Sequence, residues 1–284
     1  MKTDLVWFNG AIVPPGTISK PAGNRALFYG DSVFESMRYH AGDVYFVDDH
    51  FQRLIGGMFS IGLDTTLLNP MEIYEGIRNL CSELSFNHAR IRMTVFRRDG
   101  GFYMPESDRF HVLITASELP DEAYRYNQKG LRVGLYSDIR KPVNALAGVK
   151  SGNALLYVLA ARHARDQQWD DALLLNEHGR ICEASSSNLF LVMPDNKVIT
   201  PPLSEGSLPG VFRKNLIQWM QQNSIQVEEQ VVLTDDLYKA GEVFTTNVTS
   251  GIRWVLAFRE KRYYGAYSKK LLDAFCSSEV FYSV

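Results

Sequence analysis

Lys150 and Glu183 are the residues of this 284-residue chain whose types and surroundings point most directly to chemistry. Lys150 lies in Gly148-Val149-Lys150-Ser151-Gly152-Asn153, ahead of a segment from Ala154 to Gln168 in which Leu155, Leu156, Leu159 and Ala160 recur at helical spacing. That pattern places Lys150 at a helix start. There the positive end of the helix dipole disfavours the ammonium form and, with burial, favours the neutral amine that attacks a carbonyl carbon to form a Schiff base. Glu183 follows a strand pattern, Asp171 to Asn176, and a turn, Glu177 to Arg180. After it come Ala184, then Ser185, Ser186, Ser187 and Asn188. A carboxylate followed by hydroxyls and an amide, set between apolar strands, is not what packing alone selects, because buried polar groups must each find a partner.

Four further stretches suit anions. Ala89 to Arg97 alternates as a strand, with Ile91, Met93 and Val95 on one face and Arg90, Arg92 and Thr94 on the other. Two arginines pointing one way make a candidate carboxylate-binding wall; the same pattern also fits a solvated strand face. Leu208-Pro209-Gly210-Val211-Phe212-Arg213 leads directly into a helix through Met220. A glycine before a helix lets backbone N–H groups approach an anion, which the helix dipole favours. The turn from Thr245 to Gly251 is rich in hydroxyls and backbone donors. His50 and Arg53, three apart, share one face of a helix opened by Asp48 and Asp49. Arginine suits a buried phosphate through its fixed charge and rigid fork of donors, whereas His50 reads as a helix-start histidine with no metal-ligand spacing.

Taken together, these residues resemble the class IV aminotransferase family, the fold-type IV pyridoxal phosphate enzymes. That family includes branched-chain aminotransferases, D-amino acid aminotransferases and 4-amino-4-deoxychorismate lyases. The likeness is carried by Lys150, by Glu183-Ala184-Ser185-Ser186-Ser187-Asn188, by Tyr29-Gly30-Asp31-Ser32-Val33-Phe34-Glu35, by the His50-x-x-Arg53-Leu54 element and by Leu208-x-Gly210-Val211-Phe212-Arg213. It extends from Phe28 to Gly251.

The resemblance implies pyridoxal 5'-phosphate as cofactor, Lys150 as the Schiff-base lysine and Glu183 on the protonated ring nitrogen. It implies further cofactor contacts from Arg53, Ser187, Asn188, Leu208, Gly210, Val211 and Phe212. In the hydroxyl turn Val248 stands where the family has a phosphate-binding threonine, leaving Thr246 or Thr249 to substitute. Tyr29, Phe34, Arg92 and Arg97 are expected on the substrate. The activity implied is transfer of an amino group between an amino acid, branched-chain-like or other, and a 2-oxo acid, with Lys150 also removing the Cα proton. One alternative is a lyase releasing pyruvate and p-aminobenzoate from aminodeoxychorismate, to which Arg97-Arg98-Asp99-Gly100-Gly101 and Thr246-Asn247-Val248 bear a likeness. A second is a protein that binds pyridoxal phosphate without catalysis. The resemblance also implies a homodimer in which a loop of one subunit completes the other's site.

The elements that must position these groups read as an α+β chain of two domains. Residues 1–120 form a small α+β domain. It opens with a hairpin at Asn9-Gly10 and continues through a strand from Val33 to Arg38, a helix over Asp48 to Phe59, a helix from Pro70 to Leu84, and strands at Ala89 to Arg97 and His111 to Ala116. A polar linker occupies residues 121–130, and 131–284 form the larger cofactor-binding domain, with strands at Leu131 to Tyr136, Leu189 to Met193, Val198 to Thr200, Ile225 to Val232 and Glu242 to Thr246. The family likeness gives that second domain a β-barrel-like sheet with flanking helices.

With 45% hydrophobic and 22% charged residues and a net charge of −2, the chain has the balance of a globular protein and no basic block for nucleic acid. No apolar run reaches the length of a membrane span, so a cytoplasmic location is expected. Cys81, Cys182 and Cys276 are odd in number and widely spaced, which fits neither a disulfide framework nor a zinc site.

Overall fold

The computed structural model describes residues 4–18, 23–119 and 124–278. The chain divides into two compact units, and the division is not a single cut: the segment Val149–Asn153 belongs with the N-terminal unit, while Gly148 and Ala154 on either side of it belong with the other.

The first unit is a six-stranded sheet in the order Ala11–Val13, Val6–Phe8, Phe110–Glu118, His88–Arg97, Ser32–His40, Asp43–Val44, with every neighbouring pair antiparallel. Asn9 and Gly10, with φ of 47° and 96°, make the two-residue turn of its first hairpin, the left-handed conformation that this dipeptide tolerates. Alternation along the strands sorts the faces. Val33, Met37, Ile91, Met93, Val95 and Ile114 pack against Phe51, Leu54 and Met58 of the helix Val47–Ser60 and against Ile73, Ile77 and Leu80 of the helix Pro70–Glu83. The opposite face carries Phe34, Ser36 and Arg38 beside Thr94, Arg92 and Arg90.

The segment that holds Lys150 is bound to this sheet. Phe34 N–H donates to the Lys150 carbonyl at 2.8 Å, Gly152 N–H donates to the Ser32 carbonyl at 2.8 Å, and Ser151 bridges Val33. Gly152 is required there, since a Cβ would fall 2.2 Å from Ser32 Oγ. Lys150 is therefore not at the helix start that its spacing suggested. The helix is Leu155–Asp166, so Lys150 precedes its first turn, and the dipole argument, which fades within a turn, does not apply.

The second unit is a nine-stranded mixed sheet. Its path runs Val227–Glu229, Val198–Thr200, Asn188–Val192, Glu242–Asn247, Gly251–Phe258, Leu131–Lys141, Asp171–Asn176, Ile181–Ala184, and Lys261–Arg262 pairs off Gly251–Phe258. Ile181, on one edge strand, bridges Val232, just beyond the strand at the other edge, so the sheet curls toward a barrel. Leu173, Leu189, Leu191, Ile199, Val243, Val255 and Phe258 fill its interior. Helices Leu155–Asp166, Val211–Gln222, Thr234–Lys239 and Ala266–Cys276 flank it.

The α+β expectation and the barrel-like second sheet agree with this architecture. Several local readings shift. Of the 121–130 linker, residues 121–123 lie outside the described residues, as do 1–3 and 279–284 of the two flanking domains. From Tyr124 onward the supposed linker is anchored in the second unit, with Tyr124 Oη donating to the Val248 carbonyl at 2.6 Å and Trp254 Nε1 to the Asn127 carbonyl at 2.7 Å. The expected strand from Ile225 to Val232 shortens to Val227–Glu229, an edge piece with one parallel neighbour and exposed glutamates. Arg25–Tyr29, ahead of the Ser32–His40 strand, is a short helix capped by Asn24 and ended by Gly30 in the left-handed conformation.

Candidate active site

Glu183 is fixed by its strand, where it stands opposite Leu174, and is 3% exposed. Its Oε1 accepts from Lys141 Nζ at 2.5 Å and from Tyr157 Oη at 2.8 Å, and its Oε2 accepts from the Leu208 backbone N–H at 2.8 Å. A carboxylate offers about four acceptor positions. Among the described residues one remains, on Oε2, and it suits a protonated ring nitrogen. Burial first, then the charge of Glu183, pushes the Tyr157 phenol well above its ordinary pKa, so it stays a donor.

Lys141 and Tyr157 escaped the sequence reading. Lys141 sits at the end of a strand and looks like any polar terminator, while Tyr157 falls inside an otherwise aliphatic helical pattern. The one available signal was that Tyr157 is the only aromatic in that helix.

The Leu208 carbonyl accepts from Asn188 Nδ2 at 2.8 Å, which links the Glu183 set to the start of the Val211–Gln222 helix. Gly210 is the N-cap of that helix, and a Cβ on it would lie 1.9 Å from Asn188 Oδ1. Val211 and Phe212 are its first two residues, whose backbone N–H groups point out of the helix start. Asn188 stands directly opposite Thr246 in the adjoining strand, so both side chains lie on one face. Thr246 Oγ1 is buried and has no hydrogen-bond partner among the described residues, an arrangement that costs stability unless a ligand supplies one. The orphaned hydroxyl beside a helix N-terminus fits a phosphate. Asn247 braces the neighbouring loops: its Nδ2 donates to Ser187 Oγ at 3.2 Å and its Oδ1 accepts from the N–H groups of Thr249 and Ser250. Val248 is buried, and its carbonyl receives Tyr124.

In the first unit Lys150 is half-buried, with Nζ 4.2 Å from the centroid of the Phe34 ring; the guanidinium of Arg92 lies 3.9 Å from the same centroid. On the other face of the same strand Glu35 is fully buried. It accepts from Arg53 through Nε at 2.8 Å and Nη2 at 2.5 Å, and from His50 Nδ1 at 2.7 Å. Burial alone would raise the Glu35 carboxyl, but Arg53 and His50 outweigh it and hold it down to about 2. Burial depresses His50. Its Nε2 is enclosed without a partner among the described residues, which fits a neutral imidazole with its proton on Nδ1, donated to Glu35. His50 thus does more than start a helix: with Glu35 it fixes the orientation of Arg53.

The remaining expected substrate residues differ in character. Tyr29 is exposed, 5.5 Å from the Tyr103 ring and 5.0 Å from the Arg25 guanidinium. Arg97 is buried and wholly engaged by the protein: Nε donates to Asp31, Nη1 to Asp108 and the Gly62 carbonyl, and Nη2 to the Ile61 carbonyl. Its geometry is that of a loop anchor rather than a substrate ligand.

The chain is similar to known proteins over most of its length. Residues 32–258 match the family model described as Amino-transferase class IV. The branched-chain-amino-acid aminotransferase of Escherichia coli (strain K12) is 29% identical over 262 residues, covering 88% of this chain and 84% of that protein. The D-alanine aminotransferase of Bacillus licheniformis is 27% identical over 259 residues, covering 87% and 86%. The crystal structure of the Escherichia coli branched-chain amino acid aminotransferase superposes with a TM-score of 0.88 at 27% identity, covering 96% of this chain and 93% of that one.

Proposed function

The chain belongs to the class IV aminotransferase family, and from that premise we propose that Lys150 is the covalent anchor of pyridoxal 5'-phosphate and Glu183 the partner of its ring nitrogen in transfer of an amino group from an amino acid to a 2-oxo acid. When bound, the cofactor supplies an electron sink for negative charge developing at Cα. Lys150 would hold the cofactor at its aldehyde carbon, and its amine would carry the proton to and from Cα. Glu183, with Oε1 occupied by Lys141 and Tyr157, presents Oε2 to the ring N–H. The Gly210 helix start and Thr246 would bind the phosphate; the family resemblance gives Arg53 the same role.

The observation that carries this reading is the one acceptor position left on an otherwise saturated, buried Glu183. Single amino acids added to the purified protein should change the cofactor spectrum and yield the matching 2-oxo acid, and borohydride reduction should label Lys150. Pyruvate and p-aminobenzoate released from aminodeoxychorismate, without a 2-oxo acid from any amino acid, would favour the lyase branch instead.

The same reading includes a cytoplasmic homodimer. Phe102, Tyr103 and Met104 are 83%, 90% and 81% exposed, and Leu27 and Phe28 are exposed too. Arg25 Nη1 holds the carbonyls of Gly100, Gly101 and Phe102, so this apolar loop is presented in a fixed shape. Such a patch suits a second copy of the chain. Among the described residues no helix is long and apolar enough to cross a membrane. Light scattering at micromolar concentration should give twice the chain mass.

A further inference from the structure

Lys141 reaches Glu183 because its strand is interrupted. Leu131–Lys141 runs parallel to Asp171–Asn176 with Tyr136 opposite Leu174, and the next pair is Lys141 opposite Asn176. Ser137 to Arg140, between these pairs, are exposed, whereas Lys141 is 4% exposed. An unbroken register would set Asp138 opposite Asn176, so the excursion exchanges an acid for a base at that place. Glu183 stands opposite Leu174 on the far side of the same strand, and Leu174 and Asn176 share a face. The register therefore turns Lys141 and Glu183 toward each other over one surface. The Glu177 N–H fixes the return by donating to the Lys141 carbonyl at 3.0 Å.

Glu183 thereby receives three donors from its own chain: Lys141 Nζ and Tyr157 Oη on Oε1, and the Leu208 N–H on Oε2. Lys141 Nζ also lies 5.4 Å from the centre of the Tyr157 ring, so cation and phenol converge on that oxygen as one group. Stability alone does not account for the pair, since apolar side chains of similar volume often serve at least as well as a buried ion pair. What the three donors share is a preference for the negative carboxylate, and each is weakened if Glu183 takes up a proton. A ring nitrogen donating to the open position on Oε2 could otherwise pass its proton to the carboxylate and become neutral. Lys141 opposes that transfer because its charge lies against Oε1, across the carboxylate from such a donor. It attracts the anion at close range and repels a protonated ring from further away.

We propose that Lys141, with Tyr157 beside it, is a positioning residue that acts through Glu183 to keep the shared proton on the ring nitrogen of the cofactor. The proposal rests on the reading of Glu183 as the partner of that nitrogen. The test is nitrogen NMR of the holoenzyme reconstituted with pyridoxal 5'-phosphate labelled isotopically at the ring nitrogen, whose chemical shift separates protonated from neutral pyridine. At neutral pH the unaltered enzyme should give the protonated signal. Lys141→Gln should displace it toward the neutral one, Tyr157→Phe should displace it less, and Lys141→Arg should restore it. Lys141→Gln should also lower kcat about tenfold with KM nearly unchanged. That pattern belongs to an interaction felt in the transition state, and its size is that of one charge-assisted hydrogen bond. Tyr157→Phe keeps the test decisive if Lys141→Gln does not fold. A protonated signal retained in both variants would overturn the proposal, however far their thermal stability fell. Glu183→Gln separates the two readings. A signal moved by Glu183→Gln but by neither other variant removes the role of Lys141 and leaves Glu183 facing the ring, whereas a signal unmoved by all three removes the Glu183 reading and this proposal with it.

Discussion

Lys141 Nζ donates to Glu183 Oε1 at 2.5 Å, and both side chains are almost fully enclosed. Breaking such a pair from one side leaves a charge in the interior. Lys141→Met should therefore destabilise the protein by about 3–5 kcal/mol, whereas Tyr157→Phe, which removes one hydrogen bond to the same oxygen, should cost about 1–3 kcal/mol. Denaturant unfolding of the two variants checks both the direction and the order.

Glu183→Gln separates holding the cofactor from activating it. A neutral amide cannot stabilise a protonated ring nitrogen by charge, so turnover should fall by about a hundredfold or more. Bound cofactor, measured by its absorbance after gel filtration, should remain, because the groups proposed to hold the phosphate are elsewhere. Near-normal turnover with the cofactor retained would mean that Glu183 does not face the ring.

Thr246 and Thr249 are the threonines of the hydroxyl turn that could replace a phosphate ligand at Val248. Among the described residues Thr246 Oγ1 is buried without a partner, whereas Thr249 is tied through its backbone N–H to Asn247. Thr246→Val should weaken cofactor binding by about tenfold, near 1.4 kcal/mol, with Thr249→Val doing less. Gly210→Ala should be more damaging than either, since its Cβ collides with Asn188 Oδ1. Equilibrium dialysis of the apoprotein against pyridoxal 5'-phosphate ranks the three.

Acid should undermine the first unit through Glu35 and His50. Glu35 is depressed from 4.5 to about 2 in the folded protein, so its contribution is complete above the unfolded value and is lost as pH falls from about 4.5 toward 2. His50 is depressed below 6.5, so the unfolded chain takes up a proton first and stability begins to decline as pH drops through 6.5. Both effects have the same sign. Thermal unfolding between pH 7.5 and 4 should show a falling midpoint, with a smaller fall in His50→Asn than in the parent.

What the sequence made legible follows from how local each signal is. Strand alternation at Ile91, Met93 and Val95 sorts faces over a few residues, and it correctly put Arg90 and Arg92 together on one side. The Gly210 helix start is also local, a glycine followed at once by a helical pattern. The partners of Glu183 were not legible, because Lys141, Tyr157 and Leu208 come from three separate elements and meet only through tertiary packing. Arg97 misled for the opposite reason: an arginine beside a glycine loop looks available, and nothing in its neighbours discloses that Asp31, Ile61 and Asp108 have taken it. Lys150 misled about its setting too, since a helical pattern five residues downstream conceals an extended segment bridged to a strand more than a hundred residues earlier.

That bridge has a consequence for how the protein comes into being. Residues 32–34 find their main-chain partners in 150–152, so the N-terminal unit emerges from the ribosome well before the piece that completes it. A gene truncated at residue 119 would encode a sheet with Phe34 N–H and the Ser32 carbonyl deprived of those partners, and would leave the lysine on the discarded half. No single breakpoint separates the two units into self-sufficient products, which limits recombination to exchanges that carry residues 149–153 along with the N-terminal unit.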